Sequence, residues 1–97
     1  MTFFSNFIYR VAEEGDDERV ADLSLDRHGA SSLAAWAERA GIEQSQFDWV
    51  DSCWLRVRVG PGDVARYLDE FTDPGTAGRL KAILEPNCSY KIVAEEF

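Results

Sequence analysis

From Cys53 to Val59 apolar and polar side chains alternate without interruption. Cys53, Leu55, Val57 and Val59 fall on one side, and Trp54, Arg56 and Arg58 on the other. A helix, turning about 100° per residue, would scatter these residues around its axis, whereas a strand separates them cleanly. The chain therefore contains a sheet with one strongly apolar face, and something apolar must cover it.

Two further segments share that period. Phe3, Phe7, Tyr9 and Val11 alternate with Phe4, Asn6, Ile8 and Arg10, apolar on both sides near the start, which predicts a strand inside the sheet rather than at its edge. Cys88, Tyr90, Ile92 and Ala94 alternate with Ser89, Lys91 and Val93 and predict a last strand, with Glu95-Glu96-Phe97 as its frayed end. After the first strand, Glu13-Glu14-Gly15-Asp16-Asp17 has turn chemistry. Ala21, Leu23 and Leu25 then alternate with Val20, Asp22 and Ser24, completing a hairpin. A short helix over Asp17 to Leu23, capped by Asp17, competes with that strand.

Helical spacing governs the rest. Leu33, Trp36, Ala37 and Ala40 form one stripe, with Ser31 or Ser32 as the expected cap and Gly41 as the stop. Glu43 to Asp48 reads as a polar loop leading to Trp49 and Val50. Beyond Gly60-Pro61-Gly62, a helix capped by Asp63 carries Val64, Tyr67, Leu68 and Phe71. After Asp73-Pro74-Gly75, another capped by Thr76 carries Leu80, Ile83 and Leu84 until Pro86. Gly78 costs this third helix about 1 kcal/mol relative to alanine, so docking must hold it. The order β-β-α-β-α-α-β predicts an α+β, two-layer single domain over residues 1–97, with helices on one face of a mostly antiparallel sheet of about four strands. Trp54, Arg56 and Arg58 would then line the uncovered face.

A chain that is 45% hydrophobic and 12% aromatic can bury a core and is not disordered. Met1 to Tyr9 lacks the basic start and cleavage site of a secretory signal, and no apolar run reaches the ~18 residues of a membrane span. The expectation is a cytoplasmic protein with no membrane partner. Cys53 and Cys88 could form a disulfide if their strands pair, but free thiols are expected in a reducing compartment.

Catalytic and ligand motifs fail on inspection. Gly60-Pro61-Gly62-Asp63-Val64-Ala65 has the spacing of a dinucleotide-binding turn, yet the Asp63 carboxylate would occupy the helix amides and repel phosphate. It reads as a Pro-Gly turn. His28, the single histidine, must serve any Ser-His-Asp or Cys-His arrangement, but Ser31 and Ser32 are committed to capping and His28 reads as a loop residue. Among His28, Cys53, Tyr67 and Tyr90, nothing in the sequence brings a polar pocket together. Asp16, Asp17 and Glu18 are consecutive, whereas a calcium loop needs alternate ligands. No catalytic residue, metal or cofactor is expected. Trp54 beside Arg56 and Arg58 has the look of a single-strand stacking platform, but two arginines in a −8 chain make a weak phosphate footprint. Pairing with acids on a neighbouring strand is the expectation for those arginines.

What remains is the acidic stretch. Glu13, Glu14, Asp16, Asp17, Glu18, Asp22 and Asp26 stand against Arg19 alone, so fourteen residues hold a net −6 of the −8 total. A field of one sign attracts basic partners and repels anionic ones. The expected function is non-enzymatic: a small protein-binding module that inhibits a larger partner by occupying its basic surface, as immunity proteins and nucleic-acid mimics do. Glu13, Glu14, Asp16, Asp17, Glu18 and Asp22 would pair with partner arginines and lysines, and Trp54 would anchor the contact. The alternatives are a homodimerising subunit that uses the open face around Trp54, and a small-molecule-binding α+β domain.

Overall fold

A computed structural model describes residues 2–97 of the chain. Its strands are β1 (Phe4–Arg10), β2 (Glu18–Asp22), β3 (Phe47–Asp51), β4 (Trp54–Val59) and β5 (Tyr90–Glu96), and its helices are α1 (Ala30–Arg39), α2 (Pro61–Phe71) and α3 (Pro74–Ala82). The sheet order is β2-β1-β5-β4-β3, with every neighbouring pair antiparallel. Two hairpins, β1–β2 and β3–β4, thus meet only through the last strand. The segment after Asp17 is a strand, not a helix.

Alternation decides what each sheet face does. Ile8 on β1, Leu55, Val57 and Val59 on β4, and Tyr90, Ile92 and Ala94 on β5 are buried in one cluster with Leu33, Trp36 and Ala37 of α1 and Val64, Tyr67 and Leu68 of α2. These are the stripes expected from the sequence, and α1 and α2 cover this face. In α3 Ala77 is buried, and Leu80 and, beyond the helix end, Leu84 pack against the core as expected, while Ile83 is exposed rather than part of that stripe.

Several local expectations are corrected. The polar stretch before Trp49 is a short 3₁₀ turn (Gln44–Gln46) and then β3, a fifth strand whose Trp49 and Val50 remain exposed because no helix reaches that edge. α1 is capped by Gly29, so neither Ser31 nor Ser32 takes that place. In α2 the cap is Gly60 with Pro61 first. Asp63 lies one turn in, accepting from the Gly60 amide at 3.3 Å and pairing with Arg66. In α3 the cap is Asp73, whose carboxylate accepts from Thr76 N at 2.9 Å, and the helix stops at Ala82, ahead of Pro86. Proline prefers the first helical position, which shifts each cap one or more residues upstream. Cys53 lies exposed in the β3–β4 turn and Cys88 precedes β5, both as free thiols. The β4–β5 ladder runs from Trp54↔Glu95 to Val59↔Tyr90, so the two cysteines sit at opposite ends of it. Such a ladder is roughly 20 Å long, and a disulfide needs Cα atoms within about 7 Å.

One buried polar residue ties sheet to helices. Asn6 is 1% exposed and points into the helical face, where its Nδ2 donates to the His28 carbonyl and its Oδ1 accepts from Leu25 N, each at 2.7 Å. The connection from β2 to α1 contains two residues in left-handed conformations, Ser24 and Arg27, and therefore has no regular ladder of its own. Asn6 supplies the missing partners. Asn6→Ala strands a part-buried amide and a buried carbonyl, and is expected to lower unfolding stability by about 1–3 kcal/mol in urea titration. A loss no larger than that of an exposed substitution would remove this clamp from the account.

Candidate functional site

The uncovered face is concave for a simple steric reason. In register across the sheet, Phe7 lies opposite Val93 and Val93 opposite Arg56. One row away Ser5, Glu95 and Trp54 align, and on the other side Tyr9, Lys91 and Arg58. A small Val93 in the middle strand, with large side chains on both neighbours, leaves a groove above it. The cavity is about 270 Å³ and is lined by Phe7, Tyr9, Trp54, Val93, Asp17, Glu95, Arg56 and Lys91. Val93 is only 5% exposed, although no helix covers it, because the flanking rings stand over it.

Charges around the groove are arranged by one acid of the β1–β2 turn. The register sets Arg58 directly opposite Lys91, a like-charge pair that destabilises a sheet unless something neutralises it. Asp17 does so by folding back over the face. Its Oδ2 accepts from Lys91 Nζ at 2.8 Å, and its Oδ1 accepts from Ala12 N at 2.9 Å, closing the turn. The Lys91 hydrogen bond first, and then the Ala12 amide, hold its carboxyl below the ordinary carboxylate range. Arg56 pairs with Asp48 across the β3–β4 hairpin, the cross-strand partner its position called for. Glu95 has no ion-pair or hydrogen-bond partner among the described residues.

The residues singled out in the sequence thus separate into groups. Asp17 and Trp54 come together as two ends of one groove. Glu18 is spent on Arg10, which also holds Glu85 at 2.6 Å. Asp22 accepts from the Ser24 hydroxyl at 3.0 Å. Glu13, Glu14 and Asp16 are exposed at the tip of the turn, with no base beside them among the described residues. Phe7, Tyr9 and Glu95 are groove residues that the sequence did not single out, since only the strand order brings β1 and β4 to either side of β5.

Two donors at the Trp54 end are unusual. Trp54 Nε1 and Arg56 Nε are both shielded from solvent and have no acceptor. The Arg56 guanidinium carbon lies 5.9 Å from the indole ring, and across the groove Arg19 sits 4.9 Å above Phe7. The aromatic rows of this face are already in contact with guanidinium groups of the chain itself.

His28 is not a loop residue in the exposed sense but a core residue, 5% exposed, packed against Phe71 and Tyr67. Its Nε2 lies 2.7 Å from the Tyr67 hydroxyl. The two buried groups thus satisfy one another through a shared hydrogen bond. Ser31, Ser32 and Cys53 make no hydrogen bond to His28, and Tyr90 is turned elsewhere, its hydroxyl accepting from Glu85 N at 2.8 Å. Among the described residues no group of three or more metal-ligating side chains gathers, and no helix is long and apolar enough to cross a membrane.

Burial pushes the His28 pKa below its ordinary value of 6.5, with Glu70 opposing weakly, and pushes the Tyr67 hydroxyl up. As pH falls, the unfolded chain therefore takes up the His28 proton before the folded one. The His28 contribution to stability is level above about pH 6.5 and is lost below it, whereas the Asp17 contribution is lost only in more acid solution. Urea midpoints are expected to fall between about pH 7 and pH 5 in the wild type and to change much less in His28→Gln; parallel slopes would exclude His28 as the source. In comparison with known proteins, the chain matches no family model, no curated protein and no solved structure.

Proposed function

We propose that this chain is a small acidic protein-binding module that acts by seating its open sheet face and its β1–β2 tip on a basic surface of a larger protein. The observation that carries the reading is the separation of the acidic stretch into two parts. Asp17 and Glu18 are consumed in holding the hairpin in place, and Glu13, Glu14 and Asp16 are left exposed and unpaired beside an aromatic groove. Unpaired carboxylates on a short, anchored turn give long-range attraction, and the aromatic groove gives an apolar contact.

In this reading the module needs no metal, cofactor or catalytic residue. It works by occupation. Once seated it blocks whatever the basic surface does, whether that is a nuclease or toxin active site or a nucleic-acid-binding channel, and the net charge of −8 keeps it from binding nucleic acid directly. A cytoplasmic setting belongs to the same proposal, since both cysteines are free thiols.

The test uses the immobilised protein and a variant carrying Glu13→Gln, Glu14→Gln and Asp16→Asn. Basic proteins identified by mass spectrometry are expected on the wild type at low salt and not at high salt. Association of the recovered partner with the variant is expected to be roughly tenfold slower, since steering charge acts mainly on encounter. The circular dichroism spectrum is expected to be unchanged, because the three side chains are exposed and make no hydrogen bond or ion pair among the described residues. Equal association rates for the two proteins would refute the tip as the docking element.

A further inference from the structure

We propose that the groove over Val93 receives an arginine side chain presented on an extended segment of the partner; this rests on the protein-binding reading above and names the chemistry of its contact.

Three features converge on a guanidinium. The walls are aromatic planes, Phe7 and Tyr9 on one side and Trp54 on the other, and a planar, weakly hydrated cation stacks on such faces better than an ammonium does. The chain's own arginines already lie against these rings, Arg19 over Phe7 and Arg56, itself a lining residue, beside Trp54, so the same walls hold guanidinium groups. Glu95 lies in the groove with no base assigned to it, whereas Asp17 at the far end is held by Lys91, so one carboxylate is free for an incoming cation.

Size and polarity point to a peptide rather than to a larger ligand. A cavity of about 270 Å³ lies below the usual ~300–1,000 Å³ of a small-molecule pocket and suits a single long side chain. The unpartnered Trp54 Nε1 and Arg56 Nε need an acceptor, which a guanidinium cannot be. A main-chain carbonyl next to the arginine can serve once Arg56 moves off the indole. A second copy of this chain is disfavoured as the occupant. Its net charge of −8 would be brought against the same, and each edge strand is irregular, with a register shift opposite Val20 in β2 and at Val50 in β3.

The experiment follows the indole N–H resonances of the full chain by NMR during titration with three synthetic peptides, identical except for arginine, lysine or citrulline at the central positions. Trp54→Phe identifies the Trp54 signal, and Trp36, buried in the core, and Trp49, exposed on β3, are internal references. The expected result is a downfield shift confined to Trp54, with the arginine peptide binding about threefold tighter than the lysine peptide and the citrulline peptide not binding. Glu95→Gln is expected to weaken the arginine peptide about threefold, while Glu43→Gln, outside the groove lining, leaves it unchanged. Equal responses to arginine and lysine, a response spread over all three tryptophans, or a Trp54 shift that depends on protein concentration without peptide would each overturn the inference. Overturned in that way while the tip variant still loses its partner, the groove is excluded and the protein-binding reading stands. If both fail, that reading fails with it.

Discussion

The sheet is held together by its last strand. β1–β2 and β3–β4 are complete hairpins, but neither pairs with the other, and only β5 pairs with both. β5 carries alternating side chains to two different tasks: Tyr90, Ile92 and Ala94 complete the buried cluster under the helices, and Lys91, Val93 and Glu95 form the floor and ends of the groove. Core and groove therefore appear in the same step of assembly. A central strand from the end of the sequence also makes the important contacts non-local, which slows folding relative to a chain built from neighbouring hairpins.

Electrostatics on the open face follow from that insertion. Bringing Lys91 beside Arg58 creates a repulsion that neither hairpin contains alone, and the acid that relieves it, Asp17, lies on the far hairpin. The acidic turn is thus drawn over the sheet because β5 is there. Its remaining carboxylates are left projecting at the tip. What reads in the sequence as a single run of acids is charge with no internal partner, at Glu13, Glu14 and Asp16, followed on the same turn by a structural clamp at Asp17 and Glu18.

How much was legible beforehand depends on whether the cause was local. The alternation of Leu55, Val57 and Val59, the stripe Leu33-Trp36-Ala37 and the hairpin turn are set by neighbours in the chain, and the one-sided helical layer follows from them. The pairing of Arg56 with an acid on the next strand was also foreseeable from its place on a solvent face. β3 was not, because Phe47–Asp51 lies past the helices and has no apolar alternation to display, only Trp49 and Val50 exposed beside two aspartates. Asn6 looks like a flaw in an apolar row until the β2–α1 connection is seen to lack partners of its own. His28 looks like a loop residue because its environment, Tyr67 and Phe71, lies some forty positions away. The groove belongs to the same class, since Phe7 and Trp54 become neighbours only across β5.

The two faces differ in what stability asks of them. Val93 apart, the buried apolar side chains point toward the helices, where the polar atoms of Asn6 and the Tyr67–His28 pair are satisfied. On the open face, Trp54 Nε1 and Arg56 Nε are shielded without acceptors, and each such donor costs about 1–3 kcal/mol. Neither donor is used by the core, whereas the rest of the Arg56 side chain is tied to Asp48 across the β3–β4 hairpin. Two donors left without acceptors, on the one face the core does not need, are the local inconsistency that the proposed docking role would account for.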